Sequence, residues 1–194
     1  TLWALDATLR VATPLMLCAM AGIFSERSGI VDISLEGKLL SGAFVAAAIA
    51  SLTGSVWLGL MGAICASVLM SLLHGFACIT HRGDQVVSGV AINFLASGLT
   101  VILGIAIFKR GGQTPTLSSG ERFRPIELWF VDAMDNIPII GVIYRELISG
   151  HSLLVYVALL CVPIASFILY KSRFGLRLRA VGESPIAVDS AGVS

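Results

Sequence analysis

The stretch VVSGVAINFLASGLTVILGIAIF, residues 86–108, contains no Asp, Glu, Lys or Arg, and its reading decides the fold. A hydrocarbon core about 30 Å thick is crossed by ~20 mostly apolar residues in a helix, and this run is long enough. It lacks the strict alternation of an outer-membrane barrel strand, and a segment in lipid must satisfy its own backbone N–H and C=O groups, so it reads as a helix. Outward from it, residues 8–24, 39–52, 56–79 and 153–170 read the same way. Of 194 residues, 56% are hydrophobic and only 13% charged, against about 25% charged in ordinary soluble domains. The expected fold is all-α, a polytopic membrane bundle of about five transmembrane helices.

Net charge is +1, which points neither to nucleic acid nor to an acidic ligand, and no nucleic-acid partner is expected. Charge matters here by position. Lys171, Arg173, Arg177 and Arg179, opposed only by Glu183 and Asp189, lie within the distance of a span over which Lys and Arg mark the cytoplasmic side. Segment 171–194 is therefore expected in the cytoplasm. Within it Ser184 suits a helix N-cap, Pro185 the first helical position and Gly192 the stop, which predicts a short helix over 185–191. Below ~12 residues a helix is marginal in water, so this one either rests on a surface or is a frayed amphipathic tail. The connection 109–151, whose charges balance, is expected on the outside, and the turn at Arg82 inside. Residues 137–143, with Pro138 and Gly141, read as a short helix at the outer interface. The first span stays unoriented, because the second run is short and a broken or re-entrant element would reverse simple parity.

Small residues recur at helical spacing in the second and third runs, Gly42, Ala46 and Ala50, then Gly59, Ala63 and Ser67. Such stripes let helix backbones approach closely. Cys18, Cys65, Cys78 and Cys161 lie in apolar stretches without metal or redox spacing and read as small packing residues. His74, His81 and His151 show no ligand spacing and read as packed or interfacial. There is no HExxH pair and no exposed nucleophilic serine motif. Leu39 stands after Gly37-Lys38 where a phosphate loop needs Ser or Thr. Catalysis, a bound metal and a cofactor are therefore not expected.

Two places carry polar groups at or near membrane depth. The segment ERSGIVDISLEGK, residues 26–38, suits a chain that breaks its helix around a substrate path and restarts, with Gly29, Asp32, Ser34, Glu36 and Gly37 exposing or carrying polar groups. It suits equally an ordinary cytoplasmic turn with a helix cap at Asp32 or Ser34. In the run that opens this section, Asn93, Ser97, Thr100 and Gly104 fall on one helix face, with Ser88 and Gly89 above them. Such a face either lines a path or hydrogen-bonds a neighbouring helix.

The runs ERSGIVDISLEGKLLSGAFVAA (26–47), GDQVVSGVAINFLASGLT (83–100) and FGLRLRAVGESPIAVDSAGV (174–193) resemble the permease subunits of bacterial ABC importers of the branched-chain amino acid and simple sugar superfamily, nearest to its nucleoside and simple sugar branch. The resemblance covers nearly the whole chain. It implies a single transmembrane permease domain, 1–194, in the bacterial inner membrane. The implied partners are an ABC ATPase subunit, a second permease subunit and an extracytoplasmic solute-binding protein. It further implies a coupling segment that meets the ATPase through Arg179, Glu183, Ser184, Pro185, Ala187 and Gly192, and a translocation pathway near Gly29, Asp32, Ser34, Glu36, Gly37, Asn93, Ser97 and Thr100. The alternative functions are an ATP-independent channel or scaffold, or import of branched-chain amino acids on the same fold. Two positions depart from the branch's pattern: Asp32 stands where Asn is more frequent, and Lys38 where an apolar residue is. Family members continue through further spans, so the chain is expected to be incomplete at its C-terminal end.

Overall fold

A computed structural model describes residues 2–109, 113–118, 120–123, 125–126 and 150–192. The helices are α1 (Leu2–Arg27), α2 (Leu35–Thr53), α3 (Val56–Gly75), which runs into a π-helical turn Phe76–Thr80, α4 (Gln85–Phe108), α5 (Leu153–Lys171), α6 (Arg173–Glu183) and α7 (Pro185–Ser190). Two-residue strands β1 (Pro125–Ile126) and β2 (His151–Ser152) pair antiparallel. Among the described residues, five helical stretches are long and apolar enough to cross a membrane: Ala7–Arg27, Leu35–Thr53, Val56–Thr80, Gln85–Phe108 and Leu153–Lys171. The described residues are thus mainly helical with five candidate membrane spans, as the sequence leads one to expect.

Three details differ from the sequence reading. Helix α2 begins at Leu35, before the apolar run at Leu39, because Lys38 is buried in an ion pair rather than left at a polar boundary. The basic stretch after α5 is itself a helix, α6. Helix α7 ends one residue early, with Ala191 as its C-cap. The expected interfacial helix at 137–143 lies outside the described residues.

The chain divides into two compact units, Thr1–Ala21 with Phe123–Arg177 and Gly22–Arg122 with Leu178–Ser194. In the first, Ser172 makes the corner between α5 and α6. Its Oγ donates to Ile168 O at 2.5 Å and accepts from the Gly175 N–H at 3.0 Å, so one hydroxyl ends one helix and caps the next. A Cβ on Gly175 would run into the carbonyls of Ile168 and Leu169.

In the second unit α2, α3 and α4 pack side by side, and the two small-residue stripes face each other. A Cβ on Gly42 would sit 2.7 Å from Ser67 Oγ, and one on Gly59 would sit 2.8 Å from Ala46 O and 3.1 Å from Ala50 Cβ. The stripes are therefore the α2–α3 interface, closed backbone to backbone. The tight turn between the two helices is made by Gly54, at φ +68°, whose N–H returns to Ala50 O at 2.8 Å.

Candidate functional site

The site grows from the end of α1. Gly29 takes φ +86°, its N–H donates to Glu26 O at 3.0 Å, and the Ile30 N–H donates to Ser25 O at 3.2 Å. These two bonds form a Schellman stop, which needs a residue free to adopt a left-handed backbone. Ser25 Oγ adds a bond to Ile30 O at 2.8 Å. The chain then dips between α3 and α4 before α2 starts.

Three residues on one face of α4, spaced by four, hold this dip. Gln85 Oε1 accepts from the Val31 N–H at 2.7 Å. Gly89 lets the loop close in, since a Cβ there would lie 3.0 Å from Ile33 Cβ and 3.3 Å from Ser34 N. Asn93 Oδ1 accepts from the Gly37 N–H at 2.7 Å while its Nδ2 donates to Ile33 O at 3.1 Å. Gly37 is in the first turn of α2, where backbone N–H groups lack helical partners. Asn93 therefore caps α2 from another helix, about 12 Å along α4 from Gln85 at 1.5 Å per residue. Ser34, which precedes α2, does not cap it.

The Ser34 hydroxyl instead donates to Asp32 Oδ1 at 2.5 Å, and its N–H donates to the same oxygen at 3.0 Å. The other carboxylate oxygen of Asp32 pairs with Lys38 Nζ. Only 9% of the Asp32 side chain and 10% of the Lys38 side chain is exposed, so each charge depends on the other for its solvation. Burial pushes the Asp32 carboxyl up. The hydrogen bonds from Lys38 and Ser34 and the charge of Lys38 outweigh burial and hold it below the usual carboxylate range. His74, buried on α3, places Nε2 3.9 Å from Asp32 Oδ1 and Nδ1 3.1 Å from Ser88 Oγ, with Cys78 Sγ 3.7 Å away.

The structure thus brings Asp32, Ser34, Gly37 and Asn93 into one cluster, with Gly29 at its edge and Glu36 exposed on the first turn of α2. Ser97 and Thr100 lie further along α4; Thr100 Oγ1 donates to Ser97 O at 3.0 Å. Thr100 also lines a cavity of about 410 Å³ between α2, α3 and α4 whose other walls include Phe44, Val45, Cys65, Leu69 and Leu99. Lys38, His74, Gln85 and Gly89 also belong to the cluster, though none of them is among the residues that the resemblance places near the pathway. The i, i+4, i+8 spacing of Gln85, Gly89 and Asn93 was the available signal.

At the other end of the chain, Ser184 Oγ accepts from the Ala187 N–H at 3.3 Å, with Pro185 opening α7. Gly192 takes φ +70° and returns its N–H to Asp189 O at 2.9 Å. Pro185, Ala187 and Glu183 are exposed and Arg179 is half-buried, while Ile186 stands 84% exposed on α7. The tail reaches the loop after α1: a Cβ on Gly29 would lie 3.2 Å from Gly182 Cα.

A family model described as the permease component of the branched-chain amino acid transport system matches residues 4–194. The chain belongs to this family of membrane permeases. It is 40% identical over 194 residues to the guanosine ABC transporter permease protein NupQ of Bacillus subtilis, covering 97% of this chain and 58% of that protein. It is 37% identical over 189 residues to the nucleoside ABC transporter permease protein NupC of Lactococcus lactis, covering 94% of this chain and 56% of that protein. It is also 33% identical over 189 residues to the putative glucose ABC transporter permease protein TsgC13 of Haloferax volcanii, at 97% and 54% coverage. The chain therefore spans somewhat more than half the length of the curated relatives it matches. No solved structure matches it significantly.

Proposed function

We propose that this chain is part of the permease subunit of an ATP-driven importer that carries a nucleoside or simple sugar across the bacterial plasma membrane. In this reading it works with a separate ABC ATPase, a second permease subunit and a solute-binding protein outside. The supporting observation is that the loop after α1, with its buried Asp32–Lys38 pair, and the end of α6 that leads into α7 meet at one end of the same unit. A pathway element and a coupling element would need that proximity. The basic charges of 171–179 favour a cytoplasmic tail, and the Gly29–Gly182 contact then favours the same side for the loop after α1. This orients the first span with its N-terminal end outside and leaves the connection 109–151 outside as well. Arg179, Glu183, Ser184, Pro185, Ala187 and Gly192 are the proposed ATPase-facing group, and Gly29, Asp32, Ser34, Glu36, Gly37, Asn93, Ser97 and Thr100 the proposed pathway group.

The test is uptake by the full-length permease reconstituted with its ATPase and binding protein, with nucleosides, pentoses and branched-chain amino acids as competitors. Competition by nucleosides or pentoses, abolished when the ATPase is inactivated, is the expected result. Uptake that survives loss of the ATPase would instead establish a channel. Competition by branched-chain amino acids alone would move the substrate to that class.

A further inference from the structure

We infer that Gly29 and Gly182 form a side-chain-free joint through which a displacement of the tail reaches the Asp32–Lys38 loop; this rests on the coupling role proposed above for α7. Gly182 is the penultimate residue of α6, two positions before the Ser184 cap of α7. A pull on α7 is passed along the chain through Ser184 and Glu183 to Gly182. A Cβ on Gly182 would run into Arg27 O and lie 3.1 Å from Gly29 N, and one on Gly29 would lie 3.2 Å from Gly182 Cα and 3.3 Å from Gly182 O. The two backbones meet at van der Waals distance with no flexible side chain between them to absorb movement.

The two glycines are required for different reasons. The left-handed backbone of Gly29 explains its identity without any partner. Gly182 has no such need, being inside a helix without positive φ, where glycine is disfavoured relative to alanine. The contact alone accounts for it.

On the far side of the joint the chain is stiff. The bonds from Gly29 to Glu26, from Ile30 to Ser25 and from Val31 to Gln85 leave little slack before Asp32. Asp32 in turn holds Ser34 and Lys38. Gly29 and Gly182 are thus positioning residues that act through the Asp32 loop.

The experiment compares wild type, Gly182→Ala and Gly54→Ala in the full-length permease, reconstituted with ATPase and binding protein, reading solute moved per ATP hydrolysed. Gly54→Ala imposes backbone strain at φ +68° with open space around it and controls for strain outside the joint. Gly182→Ala is expected to lower the transport-to-hydrolysis ratio about tenfold, within what the strain of an overpacked methyl can shift, with Gly54→Ala unchanged. If Gly182→Ala keeps the wild-type ratio while wild type shows ATP-dependent uptake, the joint is overturned and the coupling role stands. Wild-type protein without ATP-dependent uptake overturns both. Should Gly182→Ala fail to insert, backbone hydrogen exchange of the wild type decides. Protection at Ile30 and Val31 is expected to change about tenfold when the ATPase is bound, and an unchanged pattern there refutes the joint.

Discussion

Asp32→Asn, Lys38→Leu and the double variant make a cycle whose outcome follows from the burial of the pair. Both side chains are about nine-tenths hidden. Asp32→Asn leaves the Lys38 ammonium buried without its counter-charge, and stripping one partner from a buried pair costs about 3–5 kcal/mol. Lys38→Leu is expected to cost less, because Asp32 keeps two donors from Ser34 and has His74 Nε2 at 3.9 Å. The double variant removes both charges and keeps an amide oxygen for Ser34. Replacing a buried pair by groups of similar volume is often neutral or stabilising, so it should return close to wild type. The expected coupling energy is about 2 kcal/mol or more, towards the upper end for residues in contact. The assay is denaturant unfolding of the purified protein in detergent, with the four proteins compared under one condition. Acid supplies an independent check of sign. The Asp32 pKa is depressed in the folded protein, so its stabilisation is present above the ordinary carboxylate value and is lost as pH falls through the lower folded value. Asp32→Asn should therefore flatten the acid limb of the stability curve and leave the neutral limb parallel to wild type. Additive penalties in the cycle, or an Asp32→Asn protein as stable as wild type at neutral pH, would refute the reasoning.

Asn93→Leu removes the acceptor for the Gly37 N–H and the donor for the more exposed Ile33 O, and leaving the N–H of buried Gly37 unpaired costs about 1–3 kcal/mol. Loss of stability and of membrane expression is expected from immunoblots of membrane fractions; expression at the wild-type level would refute this capping role. Glycine to alanine should have opposite signs at two helical positions. Gly59→Ala drives a methyl to 2.8 Å from Ala46 O and should cost about 1–3 kcal/mol of unfolding free energy. Gly98→Ala meets nothing within 4 Å and should stabilise α4 by up to about 1 kcal/mol.

What was legible in the sequence depended on whether a contact leaves its mark on residue type at fixed spacing. The α2–α3 interface did: close backbone approach demands small residues every turn, and Gly42 and Gly59 meet Ser67 and Ala46 as the stripes imply. The polar cluster left a weaker mark, because Asn93 and Gln85 bond to backbone groups of the α1–α2 loop, and a backbone partner carries no signature in residue identity. Gly182 was silent for a related reason, since a glycine in a short helix reads as a weak helix former until the opposing backbone is known. The start of α2 was misplaced by treating Lys38 as a boundary charge. Its partner stands six residues earlier, across the helix start, so that no single periodicity runs through both. Asp32 and Lys38 are also the two positions at which the resemblance implies a departure from the branch's pattern, each bearing on the depth of the segment. In the structure they are one interaction. An uncompensated charge at either position would be expensive, whereas the two together are tolerable at the same depth. Their joint presence is therefore evidence for burial of these two side chains, in a loop whose Val31 and Ile33 stand exposed.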